Sequence, residues 1–398
     1  MTGSKSSPNV LIQSILGIPL PRHRYGSELY LIMTTTADLP ASGNSMQQLR
    51  RHITALSDLP ETDSPVISAY FDLRRPVENL RAAFETWSVA ARSAVPRFMR
   101  DHFDEAKAEI RVILTQTWPD HLQGLAVFAR CGDHPLLMAL PFQAALDTHF
   151  DASPRAAIFP LVQLKDRFHR FILVICTEDS GRILELTLGA VTQEILTTRP
   201  DHGNRIGRQL SREHFHHRRE EDTRRLIRDQ ILIITNLMTR RGLNHLILAG
   251  HPRHISPLRD QLPKHIQSRV VGSVFHSPNG QDYSPLLDHA IDAFIQAEQE
   301  ESRSTVERLH EQIRRNGLAA VGIHPCREVI VAGAASQLVI AEELPHPDRE
   351  ELVRLATLHD IPIEVCEGDE LLQSHGGVGC LLRYRAEYLT SVTHIQAG

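Results

Sequence analysis

Gly333-Ala334-Ala335-Ser336-Gln337-Leu338-Val339-Ile340-Ala341-Glu342-Glu343 is the stretch that decides the fold of this chain. A glycine and two alanines allow a tight turn, and Leu338 to Ala341 form a short apolar run of strand length before two acids end it. Working outward, a helix is expected over Pro325 to Ala332, before the strand. A second helix is expected over Pro347 to His359, and a second strand over Pro362 to Val365. The segment Gly376-Gly377-Val378-Gly379-Cys380-Leu381-Leu382-Arg383-Tyr384 closes the block as a glycine turn into an apolar segment. Helices alternating with short apolar strands argue for an α/β unit.

The same alternation runs upstream. A charged helix is expected from Pro285 to Asn316, and strands over His245 to Gly250 and Val270 to Val274 flank a helix from Ile255 to Leu262. Before them, Arg212 to Arg241 reads as one long helix, because Ile227, Ile231, Ile234 and Met238 recur at helical spacing and Gly242 stops it. Two strands, Arg170 to Cys176 and Arg182 to Leu188, precede a polar, basic stretch from Arg199 to Arg212. Further upstream, Met46 to Leu56 reads as a helix and Val66 to Phe71 as a strand. Ala82 to Leu114 reads as helical, with Trp87, Ala91, Val95 and Phe98 near one face. Gly124 to Ala129 and Leu136 to Leu140 read as a hairpin about Gly132-Asp133. The expected organisation is a disordered leader over 1–45 and three α/β domains over 46–152, 153–284 and 285–398.

Composition narrows the function. The chain has 398 residues, 41% hydrophobic and 23% charged, as an ordinary folded protein does. A net charge of −5 means that any nucleic-acid contact must come from a local patch. Cys131, Cys176, Cys326, Cys366 and Cys380 form no C-x-x-C pair, which argues against a disulfide framework or a cysteine zinc site and fits a reducing cytoplasm. No apolar run approaches the roughly 18–20 residues of a membrane span, so no membrane association is expected. Val10 to Leu20 makes a poor signal peptide, with Lys5 as the one basic residue ahead of it.

Two local patterns bear on chemistry. Between Arg199 and Arg228 stand nine arginines (199, 205, 208, 212, 218, 219, 224, 225 and 228) against five acids, a local charge of +4. Guanidinium forks suit phosphates, so Arg205, Arg208, Arg212, Arg218, Arg219, Arg224 and Arg225 are candidate RNA contacts; the bland alternative is a solvated helix with Glu/Arg pairs. His214, His216 and His217 cluster, as do His251 and His254, but no H-E-x-x-H motif is present and no metal site is expected. Gly376, Gly377 and Gly379 lack the lysine and the Ser/Thr of a phosphate-binding P-loop, and are assigned to a structural turn. No cofactor is expected.

The quoted stretch from Gly333 to Glu343, the Gly376 turn, and Gly317-Leu318-Ala319-Ala320-Val321-Gly322 together resemble the C-terminal domain of archaeo-eukaryotic class I release factors and Pelota. Arg218 to Arg225 resembles the charged helix after their peptidyl-hydrolysis loop, and Ser68-Ala69-Tyr70-Phe71-Asp72 resembles the N-terminal domains of their bacterial relatives. The resemblance implies a central RNase H-like domain and a C-terminal domain of the kink-turn RNA-binding ribosomal protein type. It points to ribosome hibernation factors of the Balon type: occupancy of the ribosomal A site, contact with rRNA and tRNA, and a translational GTPase such as elongation factor Tu as a partner. The family's hydrolytic loop is Gly-Gly-Gln; here Gly207-Arg208-Gln209 stands in its place, with arginine where the family has the second glycine. Gly207 and Gln209 are therefore the catalytic candidates of an alternative reading, a rescue-type peptidyl-tRNA hydrolase. No Asn-Ile-Lys-Ser stop-codon motif occurs between Met46 and Asp151, which argues against stop-codon reading. A third reading is a stress-linked interaction protein that acts away from the ribosome.

Overall fold

The computed structural model describes residues 30–33, 45–168, 170–187, 190–198, 212–275 and 284–384. They form a mixed α/β structure with three sheets. The first sheet contains β1 (Tyr30–Met33), β2 (Val66–Asp72), β3 (Gly124–Arg130), β4 (Leu136–Phe142) and β5 (His149–Ser153), in the order β1-β4-β3-β2-β5. β3 and β4 pair antiparallel, as the hairpin reading expects. β1 pairs in parallel with β4, so residues inside the stretch read as a leader form a sheet edge.

Helix α1 (Ser45–Ser57) covers one face of this sheet. The other face carries α2 (Val77–Ala94) and α3 (Arg100–Leu114). The single helix expected over Ala82 to Leu114 is thus two helices. Val95 is extended before Pro96, and a 3-10 turn at Arg97–Met99 reverses the path. Proline disfavours the helical conformation at the residue before it, which explains the break. Phe98 is 70% exposed and is not part of the apolar face expected there.

A short helix, α4 (Phe159–Arg167), leads to the second sheet, whose order is β10-β9-β6-β7-β8. Its strands are β6 (Phe171–Cys176), β7 (Ser180–Thr187), β8 (Ala190–Thr198), β9 (His245–Gly250) and β10 (Val270–Phe275). β8 lies in a stretch that the sequence left without a strand. Its alternation is hidden because it is an edge strand in which Leu196 is 54% exposed. α5 (Arg212–Arg241) and α6 (Pro252–Gln261) pack on one face of this sheet, with α7 (Lys264–Gln267) following; α8 (Ser284–Arg314) packs on the other.

The third sheet is β11-β14-β12-β13, from β11 (Ala319–Val321), β12 (Ala335–Ala341), β13 (Ile363–Cys366) and β14 (Val378–Leu382). α9 (Ile323–Val331), α10 (His346–Leu358) and α11 (Glu370–Ser374) belong to it. Helix α8 serves two cores. Leu286, Ala290 and Phe294 pack on the second sheet, while Val306 and Leu309 pack on the third with Val339 and Leu372. α1 and α4 likewise join first-sheet residues such as Tyr70 and Phe128 to Leu352, Val353 and Ala356 of α10 in one continuous core. α4, read from sequence as the start of the central block, therefore packs between the first and third units.

Candidate nucleic-acid interface

Helix α5 is set on the second sheet by its apolar stripe. Ile227 is nearly buried, and Ile234 and Met238 are fully so. Gln230, also buried, donates from Nε2 to Thr197 Oγ1 of β8 at 3.3 Å, and Thr197 in turn donates to the Gly181 carbonyl at 2.8 Å. A carboxylate with no exposed surface, Glu185 of β7, takes ion pairs from Arg170 and from Arg241 in the last turn of α5. Gly242 then leaves the helix at φ +62°. These contacts anchor the C-terminal half of α5 and leave its N-terminal half to present charge.

Along that half Arg219, Glu220, Glu221, Arg224 and Arg225 are exposed, as is Arg228 just beyond it. Arg219 pairs with Glu178 in the turn between β6 and β7, and Arg224 stands 3.9 Å from Glu220 one turn away. The bland reading is therefore partly realised, since two of the arginines have acidic neighbours. Surface pairs of this kind contribute about 1 kcal/mol or less, so either arginine can exchange its carboxylate for a phosphate. Arg212 and Arg218 fall on α5, but their side chains are outside the described residues. Arg205, Gly207, Arg208 and Gln209 also lie outside the described residues, in the span that joins the end of β8 at Thr198 to the start of α5. The structure thus brings Arg219, Arg224 and Arg225 onto one helix, about two to four turns beyond the point where that span enters it.

The third-unit glycines sit elsewhere. Gly376 and Gly377 adopt φ +86° and +72° between α11 and β14. Gly377 donates its N–H to the Leu372 carbonyl and accepts from Ala341 N–H, both at 2.8 Å. At Gly379 a Cβ would stand 2.6 Å from Leu309 Cδ2 of α8, so this position is one of close approach.

His251 caps α6 by accepting from Arg253 N–H at 3.2 Å, and burial lowers the pKa of His254 beside it. Among the described residues, His245, Glu298 and Glu301 place three possible ligand atoms within 4.8 Å of one another. Nδ1 of the ring faces Glu298 and Nε2 faces Glu301, each at 3.3 Å. The two carboxylates thus face different ring nitrogens, and the three side chains join β9 to α8. Between α4, α8 and the β13–α11 segment lies a cleft of about 420 Å³. Asp166, Glu307, Glu364, Glu367 and Asp369 outnumber Arg167 and Arg303 along it, a charge that repels phosphate.

Residues 157–294, which contain the whole second sheet, match the sequence model of a family described as bacterial archaeo-eukaryotic release factor family 10. The chain is similar to that family over this segment and to archaeal Pelota homologs over less than half of its length. The Pelota homolog of Pyrococcus furiosus is 22% identical over 189 residues, which is 44% of this chain and 53% of that protein. The Pelota homolog of Thermococcus gammatolerans is 27% identical over 197 residues, 46% of this chain and 55% of that protein. The chain therefore spans about half the length of the curated proteins it matches. Among solved structures, an archaeal Pelota described as ribosome-bound together with ABCE1 is 14% identical. The likeness covers 86% of this chain and 95% of that one, with a TM-score of 0.41. The archaeal termination factor aRF1 is also 14% identical, covering 85% and 98%, with a TM-score of 0.27.

Sequence reasoning missed one charged cluster altogether. Glu350 of α10 lies half-buried against the start of α4, with His149, Asp151 and His346 nearby. No spacing or motif announces it, because its members are brought together from β5, α4 and α10 by the packing of two sheets.

Proposed function

We propose that this chain is a ribosome-associated translation factor of the release-factor and Pelota class that occupies the A site of idle or stalled ribosomes without reading a stop codon. The observation that carries the reading is the family match across 157–294, the segment that holds α5 and its exposed arginines. On this reading Arg219, Arg224 and Arg225, with Arg205, Arg208, Arg212 and Arg218, contact rRNA or tRNA phosphates. Gly376, Gly377 and Gly379 serve the packing of the third unit rather than a ligand. The third unit, read as a kink-turn-protein-like domain, is where a translational GTPase of the elongation factor Tu kind would dock. The protein acts in the cytoplasm, in hibernation or rescue. Among the described residues no helix is long and apolar enough to cross a membrane.

Occupancy without hydrolysis is favoured over peptidyl-tRNA cleavage by one feature of the sequence. Arg208 stands where the family's loop has its second glycine, and arginine avoids the positive φ that glycine permits. Cryo-electron microscopy of the chain mixed with vacant 70S ribosomes tests the reading. Density for the second unit in the A site is the expected result, and binding confined to another ribosomal surface would contradict it. If hydrolysis is the function after all, peptidyl-tRNA should be cleaved by the wild type and spared by Gln209→Ala.

A further inference from the structure

The join between the first and third units has a polar key. Residues 157–159, entering α4, are held from both sides. From the first sheet, Tyr70 donates its hydroxyl to the Ala157 carbonyl at 2.5 Å, and Ser68 Oγ accepts from Ala157 N–H at 3.0 Å. From the third unit, Glu350 Oε2 accepts from Ile158 N–H at 2.8 Å, and Oε1 accepts from Phe159 N–H at 3.1 Å. These N–H groups belong to the start of a helix, where no intrahelical partner exists. Glu350 thus caps a helix from another part of the chain, 192 residues away. Arg349 stacks over the Phe159 ring at 4.0 Å.

Around this key stand further titratable groups. His346, at the start of α10, lies 3.7 Å from Asp151 of β5, and its ring is 5.7 Å from that of His149. His149 Nε2 is buried and has no hydrogen-bond partner among the described residues. The Tyr70 and His149 ring centroids stand 6.2 Å apart. A carboxyl, two imidazoles and an aspartate therefore face one another across a seam that also carries a hydrogen bond from Val365 N–H to the Asp166 carboxylate at 2.9 Å and a continuous apolar core.

We propose that Glu350 and the α4 N-terminus form a proton-sensitive latch, in which proton exchange at Glu350 and His149 adjusts how firmly the third unit is fastened to the first. Apolar packing holds the seam together, while the carboxyl fixes the alignment of α4. Burial pushes the Glu350 carboxyl up to about 7, against the pull of the Ile158 and Phe159 N–H groups and of Arg349. Burial lowers His149, with His346 and Arg349 adding to the effect and Asp151 opposing it.

Hydrogen exchange on the full chain, corrected for the intrinsic pH dependence of the amides, tests this. In Glu350→Ala, the amides of Ile158, Phe159, Leu161 and Val162 should exchange at least about tenfold faster than in the wild type, the loss expected when the carboxyl's hydrogen bonds to Ile158 and Phe159 are removed. Amides of β6 and β9 in the second sheet should keep their protection. Unchanged protection at these four amides would overturn the proposal, and so would an equal rise throughout the second sheet. If Glu350→Ala does not fold, Glu350→Gln decides, because it keeps an acceptor and loses the ionisable proton. A changed pH response of the Ile158, Phe159, Leu161 and Val162 amides in that variant supports the latch, and an unchanged one overturns it.

Discussion

Gly250 meets the main-chain carbonyl of Cys176 so closely that a Cβ on it would stand 2.2 Å from the oxygen. The two residues are register partners at the ends of β9 and β6, and Gly250 holds φ at +131°. Neither the strand carbonyl nor this backbone angle can yield to a side chain. Gly250→Ala should therefore cost roughly 2–4 kcal/mol through strain and overpacking. Chemical denaturation measures it, and a wild-type midpoint would show that the strand end can move.

The second sheet also depends on Glu185. Its carboxylate has no exposed side-chain surface and faces Arg170 and Arg241, both largely covered. Removing it leaves two buried-side cations without their acid, a loss of about 3–5 kcal/mol. Glu185→Ala should lower the melting temperature by several degrees and loosen the last turn of α5. Glu194→Ala, which removes only the half-exposed partner of Arg182, should change stability by less than about 1 kcal/mol.

For the proposed RNA face, charge reversal separates phosphate contact from a solvated helix. Arg219→Glu, Arg224→Glu and Arg225→Glu together should weaken ribosome binding and lower the salt dependence by about one unit of slope per lost phosphate contact. The fold should persist, since all three side chains are exposed. Affinity unchanged at every salt concentration would assign these arginines to their acidic neighbours alone.

The seam predicts two opposite pH responses. Glu350 titrates at about 7 in the folded chain against an ordinary 4.5, so its contribution to stability is complete below the ordinary value and is lost as pH rises through about 7. His149 is lowered, so its contribution is present above its ordinary 6.5 and is lost as pH falls below that value. The two oppose each other in the wild type. His149→Asn should leave a seam that weakens as pH rises from about 5 to about 8, and Glu350→Gln should leave one that strengthens over the same interval. Melting followed across this range reads the signs, and parallel curves for the two variants would refute the assignment.

Elements governed by local pattern were legible in the sequence. The α5 stripe of Ile227, Ile231, Ile234 and Met238 places the helix at Arg212–Arg241, as read, and Leu338 to Ala341 form the buried end of β12. Elements governed by neighbours were not. β8 carries exposed Leu196 at an open edge, and β5 is a half-buried strand recognised only through its pairing with β2. At Pro96 the local signal was present and was outweighed by the apolar periodicity on either side. Arg219, Arg224 and Arg225 could be named from charge alone, whereas their pairing with Glu178 and Glu220 required coordinates. Glu350 and His149 could not be named, because the seam that joins them exists only once both sheets are folded.

The central claim is ribosome association, and pelleting tests it most directly. The purified chain, mixed with vacant 70S ribosomes, would be sedimented through sucrose at low and at moderate salt. Co-sedimentation that persists at moderate salt and falls steadily as salt is raised further is the predicted result. A folded chain that stays in the supernatant at both salts would contradict the account and leave an α/β protein that acts away from the ribosome.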